Sequence, residues 1–206
     1  EEMNRNLVGS LADLNFAPTE FSKNNLLKEG VKSKDIHVVG NTVIDALKMT
    51  INIINGNPGL EDKIKKSLPN IDYDKKIVLV TGHRRENFGD GIKNICKALL
   101  EISKRKDVQI IYPVHLNPNV KDIVNKKLGN SNNIFLIEPV TYEVFTFLIN
   151  KSYLILTDSG GIQEEAPALG KPVLVMRDTT ERDEAIKANT AILVGTKDKM
   201  IISRTF

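Results

Sequence analysis

The sequence has little of several residue types. It contains no tryptophan, one cysteine and three histidines among 206 residues, and only 5% of its residues are aromatic. The single cysteine, Cys96, excludes a framework of internal disulfides and suits a reducing compartment. The three histidines are scattered and show none of the spacings typical of metal ligands. We therefore expect a protein that uses neither disulfides nor a bound metal.

Long apolar runs and a strong excess of one charge are also missing. No stretch approaches the ~20 apolar residues that a membrane span requires, and we recognise no signal peptide. The 29 Lys and Arg residues nearly balance the 26 Asp and Glu residues, which gives no indication of nucleic-acid binding. We expect a soluble cytoplasmic protein that binds neither nucleic acid nor a membrane.

From Lys76 onward, short apolar stretches alternate with longer helical patterns. The predicted strands are 77–80, 108–112, 134–137, 154–157, 173–176 and 191–194. The predicted helices are 91–105, 117–128, 141–150, 160–169 and 181–188. This alternation is typical of a Rossmann-like α/β fold, a parallel sheet with helices on both faces. Ligands bind at the carboxyl ends of such strands, so we expect the loops there to form the site.

The part before residue 76 is less regular. The predicted elements are a strand over 11–17, a helix over 19–28 capped by Thr19, a strand over 36–39, a helix capped by Thr42, a linker over 55–59 and a helix over 60–68. At the other end, residues 197–206 could begin a helix but offer little apolar surface to bury. From both ends of the sequence we expect a fragment or the larger part of one domain.

The segment Asp158-Ser159-Gly160-Gly161 follows a predicted buried strand and opens a predicted helix. We expect Ser159 to cap that helix and the two glycines to let a phosphate approach the free N–H groups of its first turn. Glu165 lies one turn beyond Gly161, where its carboxylate could accept hydrogen bonds from a vicinal diol such as a ribose. The alternative is an ordinary strand-to-helix turn with a solvated pair of glutamates.

A second polar loop, Gly82-His83-Arg84-Arg85-Glu86, also follows a predicted strand. His and Arg can donate charge-assisted hydrogen bonds to a diphosphate, although a histidine here could also be structural. We expect one of the two arginines to pair with Glu86 or another acid, and the other to face the ligand.

The remaining candidates each have two interpretations. His115 either caps the helix after it or lines the cleft. Phe145 either belongs to the core or forms a wall against a planar base, with the main chain around Val140 reading the base's edge. Arg182 either contacts the ligand's sugar or phosphate, or forms a surface pair with Glu181.

Four sequence blocks together resemble the non-hydrolysing UDP-N-acetylglucosamine 2-epimerases, from residue 1 to about residue 197. They are residues 1–5, 40–46, 81–87 and 158–182. The resemblance implies the C-terminal half of a glycosyltransferase-B-type fold, in which two Rossmann-like domains face each other across a cleft. It divides the chain into a segment from the absent N-terminal domain (1–40), a helical connector (41–75) and a C-terminally truncated UDP-binding domain (76–206).

The same resemblance implies a reaction and a set of site residues. The reaction is the interconversion of UDP-N-acetylglucosamine and UDP-N-acetylmannosamine through elimination and re-addition of UDP, without a cofactor or metal. It implies a homodimer for the whole protein and an inactive isolated chain. The implied catalytic residues are Glu1 and His83. The implied UDP contacts are His83, Val140, Phe145, Ser159, Gly160, Gly161, Glu165 and Arg182, and the possible allosteric residues are Arg84 and His115.

The sequence departs from this family at two positions near Arg182. Asp183 stands where the family usually has Pro, and Asn189 where it usually has Gly, so the loop carrying Arg182 could be shaped differently. Two alternatives stay open: the donor domain of a UDP-sugar glycosyltransferase, and a non-catalytic module that binds a UDP-sugar.

Overall fold

The computed structural model describes residues 2–206, which form two compact units, one ending at Lys48 and one beginning at Met49. In the first unit, helix α1 (Glu2–Leu11) precedes strand β1 (Asn15–Ala17). Helix α2 (Glu20–Lys28) then leads to strand β2 (Ile36–Val38), which pairs in parallel with β1.

The predictions for the first unit are partly confirmed. Helix α2 is capped as predicted, since the Thr19 hydroxyl accepts the N–H of Ser22 at 3.1 Å. The predicted strand over 11–17 is wrong in its first half, because Leu11 ends a helix. Helix α1 buries none of its described residues, but Met3, Leu7 and Leu11 recur at the four-residue spacing of a helical face, a signal that the strand prediction overlooked.

Helix α3 (Thr42–Asn55) begins in the first unit and ends in the second. Its cap is not Thr42 as predicted, because the side-chain oxygen of Asn41 accepts the N–H of Val43 at 3.1 Å and Thr42 lies within the helix. Helix α4 (Pro58–Ser67) follows after only two residues, so the predicted linker over 55–59 is a tight turn. Asn57 caps α4 by accepting the N–H of Leu60 at 3.1 Å.

The second unit contains a six-stranded, wholly parallel sheet, as predicted. Its strands are β3 (Lys76–Thr81), β4 (Val108–Pro113), β5 (Ile134–Ile137), β6 (Leu154–Thr157), β7 (Val173–Val175) and β8 (Ala191–Leu193). The helices are α5 (Asp90–Ile102), α6 (Pro118–Leu128), α7 (Tyr142–Lys151), α8 (Ile162–Ala168), α9 (Asp183–Lys187) and α10 (Asp198–Thr205).

Alternate residues of each central strand face opposite sides of the sheet, and each side has its own core. Val78 and Val80 of β3 belong to one core, which includes residues of α5, α6 and α10. Ile77 and Leu79 belong to the other, which includes residues of α7 and α8. A strand buried on both faces is apolar at every position, which is why these strands were readable from the sequence.

The strand order is β5-β4-β3-β6-β7-β8, so the chain runs outward in one direction from β3 and in the other from β6. The crevice at the carboxyl ends of these two neighbouring strands is therefore the topological switch point, where parallel α/β sheets bind ligands.

The C-terminal residues contribute to the core, contrary to prediction. Helix α10 packs against α5, and Ile201 is fully buried there. The helix itself was foreseen, but the apolar pair Ile201-Ile202 was too short a pattern to indicate that it packs on the core. Among residues 2–206, none of the helices is long and apolar enough to cross a bilayer.

Candidate functional site

The loops that follow β3 and β6 are joined where they leave the sheet. The hydroxyls of Thr81 and Thr157 share a hydrogen bond of 2.6 Å, and the N–H of Asp158 donates to the Thr81 carbonyl at 3.2 Å. The two polar loops that the sequence placed at one sheet edge do lie side by side.

The carboxylate of Asp158 organises the loop after β3. It is 1% exposed and accepts the backbone N–H groups of His83 and Arg84, each at 2.9 Å, and the side-chain amide of Asn87 at 3.1 Å. Burial raises the pKa of Asp158, but the hydrogen bonds from His83 and Arg84 outweigh it, and the net pKa lies below the ordinary value. A buried carboxylate is tolerated when donors satisfy it in this way, so Asp158 stays charged and holds the loop in place.

His83 is held by the same carboxylate. Its Nδ1 lies 3.3 Å from Asp158 Oδ1, while its side chain is 43% exposed. The hydrogen bond to Asp158 raises the pKa of His83 above its usual value, against the opposing effects of burial and of Arg84. Because Nδ1 is engaged by Asp158, the other ring nitrogen is the one available to a ligand.

His115 lies beside His83, with the two rings nearly parallel and 5.7 Å apart between centroids. Its Nδ1 accepts the N–H of Asn117, and Asn117 itself caps α6 by accepting the N–H of Asn119. Of the two interpretations of His115, capping of α6 therefore belongs to Asn117 instead.

An arginine that the sequence did not single out joins the loops after β3 and β7. The side chain of Arg177 is 10% exposed and donates to Glu86 and to Glu181, each at 2.7 Å. Arg84 pairs with an acid as predicted, but the acid is Glu181, at 3.6 Å. Of the two predicted partners, Glu86 or another acid, the second is therefore the one observed, and Glu86 binds the distant Arg177.

The junction between β6 and α8 differs in one detail from the prediction. Helix α8 begins at Ile162 after Gly161, and no side chain caps it, so Ser159 is not its N-cap. Instead, the N–H of Ser159 donates to the Thr157 hydroxyl at 2.9 Å and its carbonyl accepts the side chain of Gln163 at 3.1 Å. The two glycines add a turn that places Ser159 too far before the helix to cap it.

Both glycines of this turn lie against carboxylates. A Cβ atom on Gly160 would lie 2.5 Å from Glu181 Oε1, and one on Gly161 would lie 3.2 Å from Glu165 Oε1. Glu165 is thus beside Gly161, on the helical face that its spacing predicted. Burial and the neighbouring Glu164 raise the pKa of Glu165.

Gln163 is a second functional candidate that the sequence did not reveal. It is fully buried, and its side chain accepts the Thr180 hydroxyl at 2.6 Å while donating to Ser159. Thr180 in turn accepts the N–H of Arg182 at 3.1 Å. Gln163 therefore ties the junction to the loop that carries Arg182. The only signal in the sequence was that a polar residue stands directly after Ile162, close to the predicted start of the helix.

Arg182 forms an ion pair through Nε with Glu164, and not with Glu181 as the alternative interpretation had it. Asp183 is the first residue of α9, where Pro is tolerated and an acid is favoured by the helix dipole. Asn189 has φ of +55°, the left-handed region that Gly adopts most readily and Asn next. Both departures from the family therefore fit the positions that they occupy.

The candidates for the base come from other elements of the second unit. Val140 follows β5, Phe145 is on α7, and both are partly buried against the core that includes α7 and α8. Glu1 lies outside the described residues. Among residues 2–206, no group of three His, Cys, Asp or Glu side chains is arranged to hold a metal ion.

Comparison with known proteins identifies the family. A sequence profile of UDP-N-acetylglucosamine 2-epimerase matches residues 1–206. The chain belongs to the UDP-N-acetylglucosamine 2-epimerase family. It is 55% identical over 203 residues to the UDP-N-acetylglucosamine 2-epimerase of Escherichia coli K12, a match that covers 98% of this chain and 54% of the relative.

Solved structures of this epimerase family have the same fold. The Neisseria meningitidis enzyme bound to UDP-GlcNAc is 48% identical, with a TM-score of 0.91, over 100% of this chain and 55% of that one. The Methanocaldococcus jannaschii enzyme in complex with UDP-GlcNAc and UDP is 37% identical, with a TM-score of 0.84, over 100% and 56%. The predicted family and the predicted half of a glycosyltransferase-B-type fold are confirmed. The chain spans about half the length of the relatives that it matches.

Proposed function

We propose that this chain is the UDP-binding half of an epimerase that interconverts UDP-N-acetylglucosamine and UDP-N-acetylmannosamine. The observation that carries the proposal is the match to one epimerase family over the whole chain, combined with a switch-point crevice whose loops offer an imidazole, guanidiniums and a glycine turn. Two structural relatives, from Neisseria meningitidis and Methanocaldococcus jannaschii, are bound to UDP-GlcNAc.

In this proposal the diphosphate lies against Ser159, Gly160 and Gly161, where the backbone can approach it closely. His83 contributes a charge-assisted donor, since its raised pKa favours the protonated imidazole. Such fixed donors stabilise negative charge that develops on a leaving group.

We assign the remaining contacts from the family resemblance. Glu165, one turn along α8, accepts hydrogen bonds from the ribose diol. Phe145 and Val140 form an apolar wall for the uracil. Arg182, held by Gln163 through Thr180, completes the contacts to the ligand.

The reaction breaks the bond between C1 and the UDP oxygen and removes the proton from C2, which leaves an unsaturated sugar and UDP. Re-addition of UDP at C1, with a proton delivered to the other face of C2, gives the epimer, so no atom or electron is gained or lost. This route requires acid and base groups at the sugar. We assign Glu1 to proton transfer there and His83 to the leaving diphosphate, and the route needs no cofactor or metal.

We expect the isolated chain to bind UDP weakly and not to turn over, because the described loops supply groups for UDP and few for the sugar. For the whole protein we expect a cytoplasmic homodimer, and we place possible allosteric contacts at Arg84 and His115.

Proton NMR of UDP-N-acetylglucosamine incubated with the whole protein tests the proposed reaction. We expect UDP-N-acetylmannosamine to form without any acceptor and without sustained release of free UDP. Release of UDP that depends on an added acceptor would indicate a glycosyltransferase instead, and product formation by the 206-residue chain alone would contradict the expected inactivity of that chain.

A further inference from the structure

The surface of Gly160 is covered by a carboxylate from another loop. Glu181 Oε1 lies 2.5 Å from the position that a Cβ of Gly160 would take, and Arg84 Nη2 lies 3.8 Å from it. The two charged groups are 3.6 Å apart. A carboxylate and a guanidinium therefore meet directly over the glycine turn.

This arrangement resembles a bound anion. A carboxylate oxygen carries negative charge and accepts hydrogen bonds as a phosphate oxygen does, and arginine recognises both groups. Close approach to a glycine backbone and to a guanidinium is what a ligand phosphate would need at this point. The crevice is thus occupied by a group of the protein's own.

The contact of Glu181 with Arg84 is also the weaker of its two ion pairs. Its other oxygen, Oε2, accepts the nearly buried Arg177 at 2.7 Å, whereas the Arg84 contact is 3.6 Å long between side chains that are 37% and 43% exposed. The Nε of Arg84 is buried without a hydrogen-bond partner among the described residues. The Glu181 side chain can therefore rotate while it keeps its ion pair with Arg177, which leaves Arg84 free to donate to a new partner.

We propose that the Glu181 carboxylate occupies the place of a ligand phosphate over Gly160 and Arg84, and leaves it when a diphosphate binds. Glu181 is then a self-competing group that lowers the affinity of the site and returns to Arg84 when the diphosphate departs. The inference rests on the proposed function, because it assumes that the diphosphate lies at this turn.

The test is a calorimetric titration of the 206-residue chain and its Glu181→Gln variant with UDP. Glutamine keeps the size of the side chain and removes the competing charge. The interaction of two unit charges about 4 Å apart in water corresponds to about a fivefold change in affinity. We therefore expect Glu181→Gln to bind UDP about fivefold more tightly. Uridine, which has no phosphate, should show no such gain.

Glu86→Gln is the matched control, because this change also removes one charge from a carboxylate that pairs with Arg177, while the groups nearest to Gly160 are Glu181 and Arg84. We expect no tightening in this variant. If the role of Glu181 is only to hold Arg177 in position, both variants should weaken UDP binding to a similar extent. That result would overturn the proposal.

Two further outcomes separate this inference from the proposed function. If the parent chain binds UDP and Glu181→Gln binds it equally well or more weakly, the inference alone is overturned. Failure of the folded parent to bind UDP overturns the assignment of the diphosphate and the inference with it. A crystal structure with UDP bound and the Glu181 carboxylate still over Gly160 would also overturn it.

Discussion

Replacing Asp158 with asparagine should destabilise the chain and disturb the loop after β3. Asparagine has nearly the same shape but lacks the charge, and its amide nitrogen cannot accept the N–H groups that point at the carboxylate. Three N–H donors and the Nδ1 of His83 meet Asp158 in a site that is 1% exposed. Hydrogen bonds to charged groups contribute about 1.5–3 kcal/mol each, and the amide retains some of them. We expect a loss of about 2–4 kcal/mol in the free energy of unfolding.

Urea unfolding of the chain and of Asp158→Asn at neutral pH measures this loss, with the exposed Asp122→Asn on α6 as the control, which should stay within about 0.5 kcal/mol of the parent. UDP binding should weaken as well, because the loop that carries His83 and Arg84 is no longer fixed. A variant with less than about 1 kcal/mol of destabilisation and unchanged UDP affinity would refute the central position given to Asp158.

The pH dependence of the same loss has a defined sign. The folded-state pKa of Asp158 is lowered, so the stability that it contributes is present above the pKa of the unfolded chain and is lost as pH falls through the folded-state value. The pKa of His83 is raised, so its contribution is present below the unfolded-state pKa and is lost as pH rises through the folded-state one. The gap between parent and Asp158→Asn should therefore close at acid pH.

Three further substitutions test other parts of the site. Gly160→Ala should fold nearly normally, because the Glu181 side chain can move away, yet its methyl group should weaken UDP binding by about tenfold or more; unchanged binding in a calorimetric titration would contradict the glycine turn as the phosphate site. Gln163→Leu should lower the free energy of unfolding in urea by about 2–4 kcal/mol, because the Ser159 carbonyl and the Thr180 hydroxyl lose a buried partner; a loss within measurement error would argue that Gln163 does not hold Ser159 and Thr180 together. Asn189→Ala should cost about 1 kcal/mol while Asn189→Gly costs nothing, because φ is positive there; equal melting temperatures would contradict this.

The central strands were predictable because they are buried on both faces. Residues 154–157, which are buried throughout, were predicted as a strand with the observed bounds, because a run this short between turn signals is typical of a strand. The half-buried edge strand 134–137 was also predicted with its observed bounds. The positions of the two polar loops then followed from the rule that parallel sheets bind ligands at their carboxyl ends. The family resemblance rested on long sequence blocks and was confirmed by the comparisons.

The contacts between the loops were not predictable, because their partners are far apart in sequence. Asp158 and His83 are 75 residues apart, and Arg177 reaches Glu86 across 91 residues. A single sequence shows that these residues are charged but not which of them meet. Ser159 illustrates the opposite error: serine before a helix favours a cap, yet the intervening glycine turn moved the helix start to Ile162.

The most direct test of the account is a calorimetric titration of the chain with UDP beside Glu165→Ala, with Glu101→Ala as an exposed control on α5. If the nucleotide lies along the junction and α8, the parent and Glu101→Ala should bind equally and Glu165→Ala about tenfold more weakly, because the ribose loses its acceptor. Equal binding by all three chains, or no binding by the folded parent, would contradict the nucleotide site proposed for this crevice.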